Sequence, residues 1–454
     1  MIYITPNHHK NLKFPTNKTH TPEGKKVWRR PLISKHIDLE KVSEILQDTC
    51  YGAGEPKIEL IPRSLKDPEI RNNLKVHKCK KVEDWICPIP AVMPEDVKVR
   101  HTLPEDPLKN LLTLPSCAPK YVPTERVTQE RMDKLGINEN PELMEEEKCL
   151  LKHVLILNGR SIAFNQEHKR GTFWQDYFSD YKIPMTSHVP WVDKNIPLPP
   201  GHWDQIVKML KEKIDGGVYE RAQSSYQSQW FCVWKKNGEL WIVHDLQKLN
   251  GITIRETGVP PILDGCVEAY AGWSVYSVLD MYWGFYTRIL DPESWDMMAF
   301  QTPLGVLWIT SLPMGFTNSP AEFQACMVFI LEDEIPEVAG VFIDDIPVKE
   351  PVNRYLDEEG KEERIPQNPG IWWFMWEHLN NLHQILHRIR EAGGTVSGKK
   401  MQLCKSKVEI VGQKCSHEGR MPTDTRMQRI KDWPTPVNVM EVRGFLGLCG
   451  MVWI

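Results

Sequence analysis

The chain has 454 residues, 41% of them hydrophobic, and a formal net charge of -4. That is apolar material for two or three domains with a substantial core, which excludes a wholly disordered protein, and the charge balance excludes a coat of basic surface. The 11 cysteines form no CxxC pair or zinc-spaced run, no secretory leader precedes them, and no apolar stretch reaches the roughly 18 residues of a membrane span. A soluble chain with reduced thiols and no membrane partner is the expectation, and any contact with nucleic acid is expected to be local.

Residues 1–122 read as linker, rich in Pro, Lys and short polar runs, with one helical stretch over Asp38–Asp48 whose Leu39, Val42, Ile45 and Leu46 share a face. Residues 123–187 read as a helical lead-in. It has a start signal at Pro123-Thr124-Glu125-Arg126, a helix through Glu142–Leu157, and the aromatic cluster Phe173, Trp174, Tyr177, Phe178 and Tyr181, expected to hold a small core of its own. Next, Ile206, Met209, Leu210 and Ile214 repeat at helical spacing until Gly216-Gly217 stops the helix. A hairpin follows, with arms Trp230–Trp234 and Leu240–Val243 around Lys235-Lys236-Asn237-Gly238; Asn-Gly is a strong hairpin-turn signal. A strand over Val275–Leu279 then delivers Asp280.

The next helix carries a cap at Ser319, Pro320 at its first position and Glu322 to complete a capping box, with Phe323, Met327, Ile330 and Leu331 as its buried stripe. Val341-Phe342-Ile343 and Ile346-Pro347-Val348 read as the apolar arms of a hairpin whose bend is Asp344-Asp345. An acidic, proline-bearing insert, 350–370, separates it from a helix whose face is Phe374, Leu379, Leu382, Ile385, Leu386 and Ile389, ended by Gly393-Gly394. No internal repeat is present.

If the two acid-bearing segments are adjacent central strands, Asp280 meets Asp344 and Asp345. Three close carboxylates cannot all stay ionised without compensating charge, and hard oxygen ligands select magnesium or manganese over zinc. Two such ions serve an in-line phosphoryl transfer. By residue type alone a second reading stays open, in which Asp280 ends a strand and Asp344-Asp345 make a turn.

From about His188 to Ile454 the chain resembles the reverse transcriptase of gypsy-type LTR retrotransposons, most closely the elements of basidiomycete fungi. The landmarks run in order: Val233-Trp234-Lys235-Lys236-Asn237-Gly238, Val243-His244-Asp245-Leu246-Gln247-Lys248-Leu249-Asn250, Val278-Leu279-Asp280, Phe300-Gln301-Thr302-Pro303-Leu304-Gly305, Leu312-Pro313-Met314-Gly315-Phe316-Thr317-Asn318-Ser319, Phe342-Ile343-Asp344-Asp345, Ser397-Gly398-Lys399-Lys400 and Phe445-Leu446-Gly447-Leu448.

The resemblance implies an α+β right-hand polymerase fold: fingers and an antiparallel palm sheet over 188–419, and a partial thumb over 420–454. It implies an RNA-directed DNA polymerase using two Mg2+ or Mn2+ ions, an RNA or DNA template with primer, and dNTPs. Asp280 and Asp344 would hold the metals with Asp345 in support. Lys235 or Lys236 would reach the triphosphate, Phe285 would exclude a 2'-hydroxyl, Met314 and Gly315 would lie under the incoming nucleotide, and the hairpin from Val411-Gly412 to Gly419 would seat the primer end. An intracellular setting is implied: cytoplasm, virus-like particle or nucleus. So is a polyprotein fragment, with template, primer and oligomeric state left open.

The pattern is broken at Trp241, where the family usually has a triphosphate-binding arginine that an indole cannot replace. Trp308, Trp372, Trp373 and Trp453 also stand where related elements often carry arginine, and one C-to-T change turns CGG into TGG. A decayed copy is one explanation. A catalytically dead nucleic-acid-binding relic and an interaction protein therefore remain alternatives to a competent polymerase.

Overall fold

The computed structural model describes residues 97–450, apart from 169–170, 236–237, 259–260 and 262, together with two N-terminal strands. Those strands, Lys18–His20 and Lys26–Trp28, pair antiparallel. The helix expected over Asp38–Asp48 lies outside the described residues, as do Lys236 and Trp453.

Helix α1, Glu145–Leu157, begins later than the expected Glu142, because the Glu142 amide donates to Asn140 Oδ1 at 3.1 Å in a local turn. The lead-in does not keep a core of its own. Leu150, Leu151 and Val154 of α1, with Phe173, Tyr177 and Phe178, share one core with Leu279, Phe323, Leu382 and Ile385. A two-residue strand, Ile162–Ala163, pairs parallel with Val396–Ser397. Part of the expected spacer is anchored too: Leu114 is buried, and Asn368 Nδ2 donates to the Ser116 carbonyl at 2.9 Å.

The region expected to form the fingers is built from α2, Trp203–Asp215, and the strands β1, Tyr219–Arg221, β2, Trp230–Trp234, and β3, Leu240–His244. β2 and β3 form the expected hairpin, with Gly238 at φ +79 in its turn. Strand β4, Tyr276–Asp280, follows, then β5, Phe300–Thr302, and β6, Gly305–Ile309; β6 pairs with both β1 and β5. Ile206, Leu210, Trp230, Phe300 and Phe316 fill a second core between these elements.

Helix α3, Ser319–Ile330, leads to strand β7, Asp345–Lys349, and helix α4, Trp373–Glu391, leads to strand β8, Gln402–Lys405. β4 is the centre of a three-stranded antiparallel sheet with β7 and β8 on its two edges. The six face residues expected on α4 are all buried, and each such side chain contributes about 1.5–3 kcal/mol by leaving water. A separate meander follows: β9, Lys407–Ile410, β10, Gln413–Ser416, and β11, Gly419–Pro422. Helices α5, Asp424–Lys431, and α6, Val439–Gly450, complete the described chain. Among the described residues no helix is long and apolar enough to cross a membrane.

Two local expectations are corrected. The N-cap of α3 is Asn318, with no side-chain cap bond; Ser319 Oγ donates to the Pro313 carbonyl at 2.8 Å. Glu322 makes no capping box, because its carboxylate accepts from Arg288 Nε at 2.6 Å in a pair buried on both sides. The acid hairpin also differs. Only its second arm is a strand, and the bend is Ile343-Asp344, with Asp345 already the first residue of β7.

Candidate active site

Alternation along β4 sets the direction of the acids. Val275 and Leu279 face the core made with α3 and α4, whereas Tyr276 and Val278 face a smaller core made with Val408, Ile410 and Cys415. Asp280 follows Tyr276 and Val278 by the two-residue period, so it points away from the helices. Asp345 is the direct register partner of Asp280, just as Ile346 is of Leu279. Directly opposed residues share a face, with Cα atoms about 4.5–5.5 Å apart.

Asp344 is brought in by the turn. The Phe342 amide donates to the Asp345 carbonyl at 2.9 Å and the Asp345 amide to Phe342 at 3.1 Å, which closes a two-residue loop over Ile343 and Asp344. The Met281 amide donates to the Asp344 carbonyl at 2.9 Å, tying that loop to the end of β4. Ile343 sits at φ +59, a left-handed conformation that is strained for a β-branched residue and tends to occur at functional sites.

The three acids feel one another. Burial pushes the Asp345 carboxyl up to about 6, and Asp344 and then Asp280 add to the shift. Asp280 is also raised, first by burial; Lys400 pulls it back and Asp344 pushes it further up. Lys400 Nζ lies 2.9 and 2.8 Å from the two oxygens of Asp280, and its side chain is 65% exposed. One ammonium against three carboxylates leaves room for more positive charge. Asp280 and Asp345 share a strand face and Asp344 follows in the adjoining turn. The three carboxylates are not gathered as tightly as the donors of a single ion, but all-oxygen donors beside a bound ammonium are of the type that suits hard divalent ions.

In sequence Lys400 is one residue of the Ser397–Lys400 motif, 120 residues from Asp280, and the fold brings the two together. Its loop is held by the lead-in, where the Gly398 amide donates to the Ala163 carbonyl at 2.9 Å. A Cβ on Gly398 would come within 2.5 Å of the Phe164 ring, so the close approach needs glycine.

The other expected residues have defined local surroundings. Lys235 Nζ sits 3.8 Å above the Trp241 ring, so these two pair with each other on the finger hairpin. Phe285 lies in the short 3-10 turn Gly284–Thr287, half-buried between the two large cores, its ring edge-on to Phe323 at 5.5 Å. Met314 is 47% exposed and Gly315 takes φ +92. Asn250, the last residue of the Val243–Asn250 motif, buttresses that loop: its Nδ2 donates to the Gly315 carbonyl at 2.8 Å and its Oδ1 accepts from the Thr317 amide at 2.9 Å.

No family model matches the chain. It is 26% identical over 294 residues to the retrovirus-related Pol polyprotein from transposon 297 of Drosophila melanogaster, covering 63% of this chain and 26% of that protein. It is also 22% identical over 268 residues to the transposon Tf2-3 polyprotein of Schizosaccharomyces pombe, covering 59% of this chain and 18% of the relative. The chain thus spans about a quarter or less of these relatives. Among solved structures, the foamy viral protease-reverse transcriptase in complex with dsDNA matches with a TM-score of 0.60 at 23% identity, over 73% of this chain and 63% of the other. The same protein in complex with an RNA/DNA hybrid gives a TM-score of 0.58 at 22% identity, over 73% of this chain and 41% of the other. The fold is therefore the α+β polymerase fold, and the chain is similar to transposon Pol polyproteins.

Proposed function

We propose that the chain is the reverse-transcriptase segment of an LTR retrotransposon polyprotein of the gypsy type, fungal in lineage, extending a primer on an RNA or DNA template with dNTPs. The observation that carries the reading is the convergence of Asp280, Asp345 and the Asp344 turn on one face of a central antiparallel pair. Asp280 and Asp344 would hold two divalent ions, magnesium or manganese, with Asp345 in support. When bound, such ions supply charge neutralisation and a primer hydroxyl of lowered pKa. The chain's own residues do the positioning. Phe285, braced by Phe323, presents a rigid wall against a 2'-hydroxyl, and the Asn250-buttressed Met314-Gly315 loop offers a floor for the base. Lys235 is the described cation of the finger hairpin available to a triphosphate.

A second reading is supported by the tryptophans. Trp241 adds an aromatic face beside Lys235 where an arginine fork would grip phosphate, and the Trp308 indole N–H is buried with no hydrogen-bond partner among the described residues. An orphaned buried donor costs about 1–3 kcal/mol, which fits a residue that arrived by mutation rather than selection for its site. On this reading the copy is damaged, through CpG deamination of arginine codons.

Primer extension on poly(rA)/oligo(dT) with Mg2+ or Mn2+ tests both. The wild-type chain is expected to extend weakly, and Trp241→Arg to raise kcat/KM for dTTP by about tenfold or more, the worth of a charge-assisted bond to phosphate. Flat traces from wild type and variant alike would favour the dead relic or an interaction protein.

A further inference from the structure

We propose that Gln324 is the positioning residue of the acid turn, its carboxamide clamping the loop that presents Asp344. Gln324 lies in α3 and is 7% exposed. Its Oε1 accepts from the Ile343 amide at 2.7 Å and its Nε2 donates to the Val341 carbonyl at 3.0 Å. Both polar ends of one side chain are thus spent on a three-residue stretch of main chain. The partners fix the orientation of the amide, since a backbone N–H requires the oxygen and a backbone carbonyl the nitrogen. A carboxylate lacks the donor, and an aliphatic residue lacks both.

The clamp sits where the backbone most needs support. Ile343, held by its amide, is the residue at φ +59, a conformation that persists only where the surroundings impose it. Asp344 is next in sequence, and its carbonyl accepts from the Met281 amide on the far side. The loop is therefore held from α3 on one side and from the end of β4 on the other. The height of α3 is itself set two residues earlier by the buried Glu322–Arg288 pair. Releasing Ile343 would let Asp344 shift relative to Asp280, and a displacement of about 1 Å at a reacting centre costs roughly 10²-fold in rate.

The geometry stands by itself; the effect on rate rests on the polymerase reading. The test is Gln324→Met, similar in length but unable to pair with the turn, with Ile330→Val, a buried change on the same helix, as a destabilising control. Mn2+ affinity is followed by electron paramagnetic resonance, amide exchange at Ile343 by NMR relative to core amides, and single-turnover extension at saturating dNTP. Gln324→Met is expected to weaken Mn2+ binding about tenfold, to speed Ile343 exchange, and to slow extension by about 10²-fold. Ile330→Val is expected to change none of these. Wild-type Mn2+ affinity and Ile343 exchange in Gln324→Met would overturn the inference whatever the rate. A wild-type chain that extends no primer while Gln324→Met loosens Mn2+ would leave the clamp standing and remove the polymerase reading.

Discussion

On the proposed polymerase reading, Asp280→Asn is expected to lower the primer-extension rate by about 10³-fold or more, because it would remove a carboxylate proposed to hold the divalent ions. Asp344→Asn should match it, since the turn delivers that carboxylate to the same strand end. Asp345→Asn separates function from stability. Its folded pKa of about 6 lies above the ordinary carboxylate value, so the folded state binds the proton more tightly than the unfolded chain does. The penalty is absent below pH ~4, grows as pH rises, and is complete above about 6. In EDTA, Asp345→Asn is therefore expected to stabilise the fold at pH 7–8 by about 1 kcal/mol after solvent screening, and to change nothing at pH 4. Urea midpoints of variant and wild type that match at both pH values would show that burial and the neighbouring acids put no such penalty on the Asp345 carboxylate.

The second large effect is structural. Arg288 is 2% exposed, its Nε bonds Glu322 Oε1 at 2.6 Å, and its Nη2 donates to the Ser179 carbonyl. The main chain of the same residue accepts from the Leu312 amide at 2.9 Å. Arg288 thus joins the lead-in, the loop before Met314 and the helix that carries Gln324. Arg288→Met strands the Glu322 carboxylate in the core, at an expected cost of about 3–5 kcal/mol, a large share of the 5–15 kcal/mol that holds a typical domain together. The double variant Arg288→Met/Glu322→Leu removes both charges and is expected to recover most of that loss. Urea denaturation followed by tryptophan fluorescence measures both. A loss under about 1 kcal/mol for the single variant would mean that the pair is not buried as described.

Much of this was legible because it is local. The face of α4 follows from helical periodicity, and the β2–β3 hairpin follows from Asn237-Gly238 between apolar arms. The order of the acids and the apolar residues around each allowed Asp280 to meet the later acids. Only the family resemblance implied it, because residue type alone left a strand end and a turn equally open. The bend was misplaced by one residue for an identifiable reason. A two-residue loop asks for glycine, asparagine or aspartate at its first position, and the chain has Ile343 there, held by a side chain from another element. Gln324, Lys400 and the Arg288–Glu322 pair escaped for the same cause. Their partners are 19, 120 and 34 residues away, and composition does not encode such distances. Likewise α1 announces an apolar face, but only the fold shows that it covers the core under the acid sheet.

The most direct measurement is anomalous diffraction from crystals of the chain grown with Mn2+, a primer–template and dNTP, the primer ending in a dideoxynucleotide. Two manganese peaks about 3.5–4 Å apart, bridged by Asp280 and Asp344, are the expected result. A well-ordered map with the three carboxylates in place and no manganese between them would contradict the assignment of this strand end as a two-ion polymerase centre.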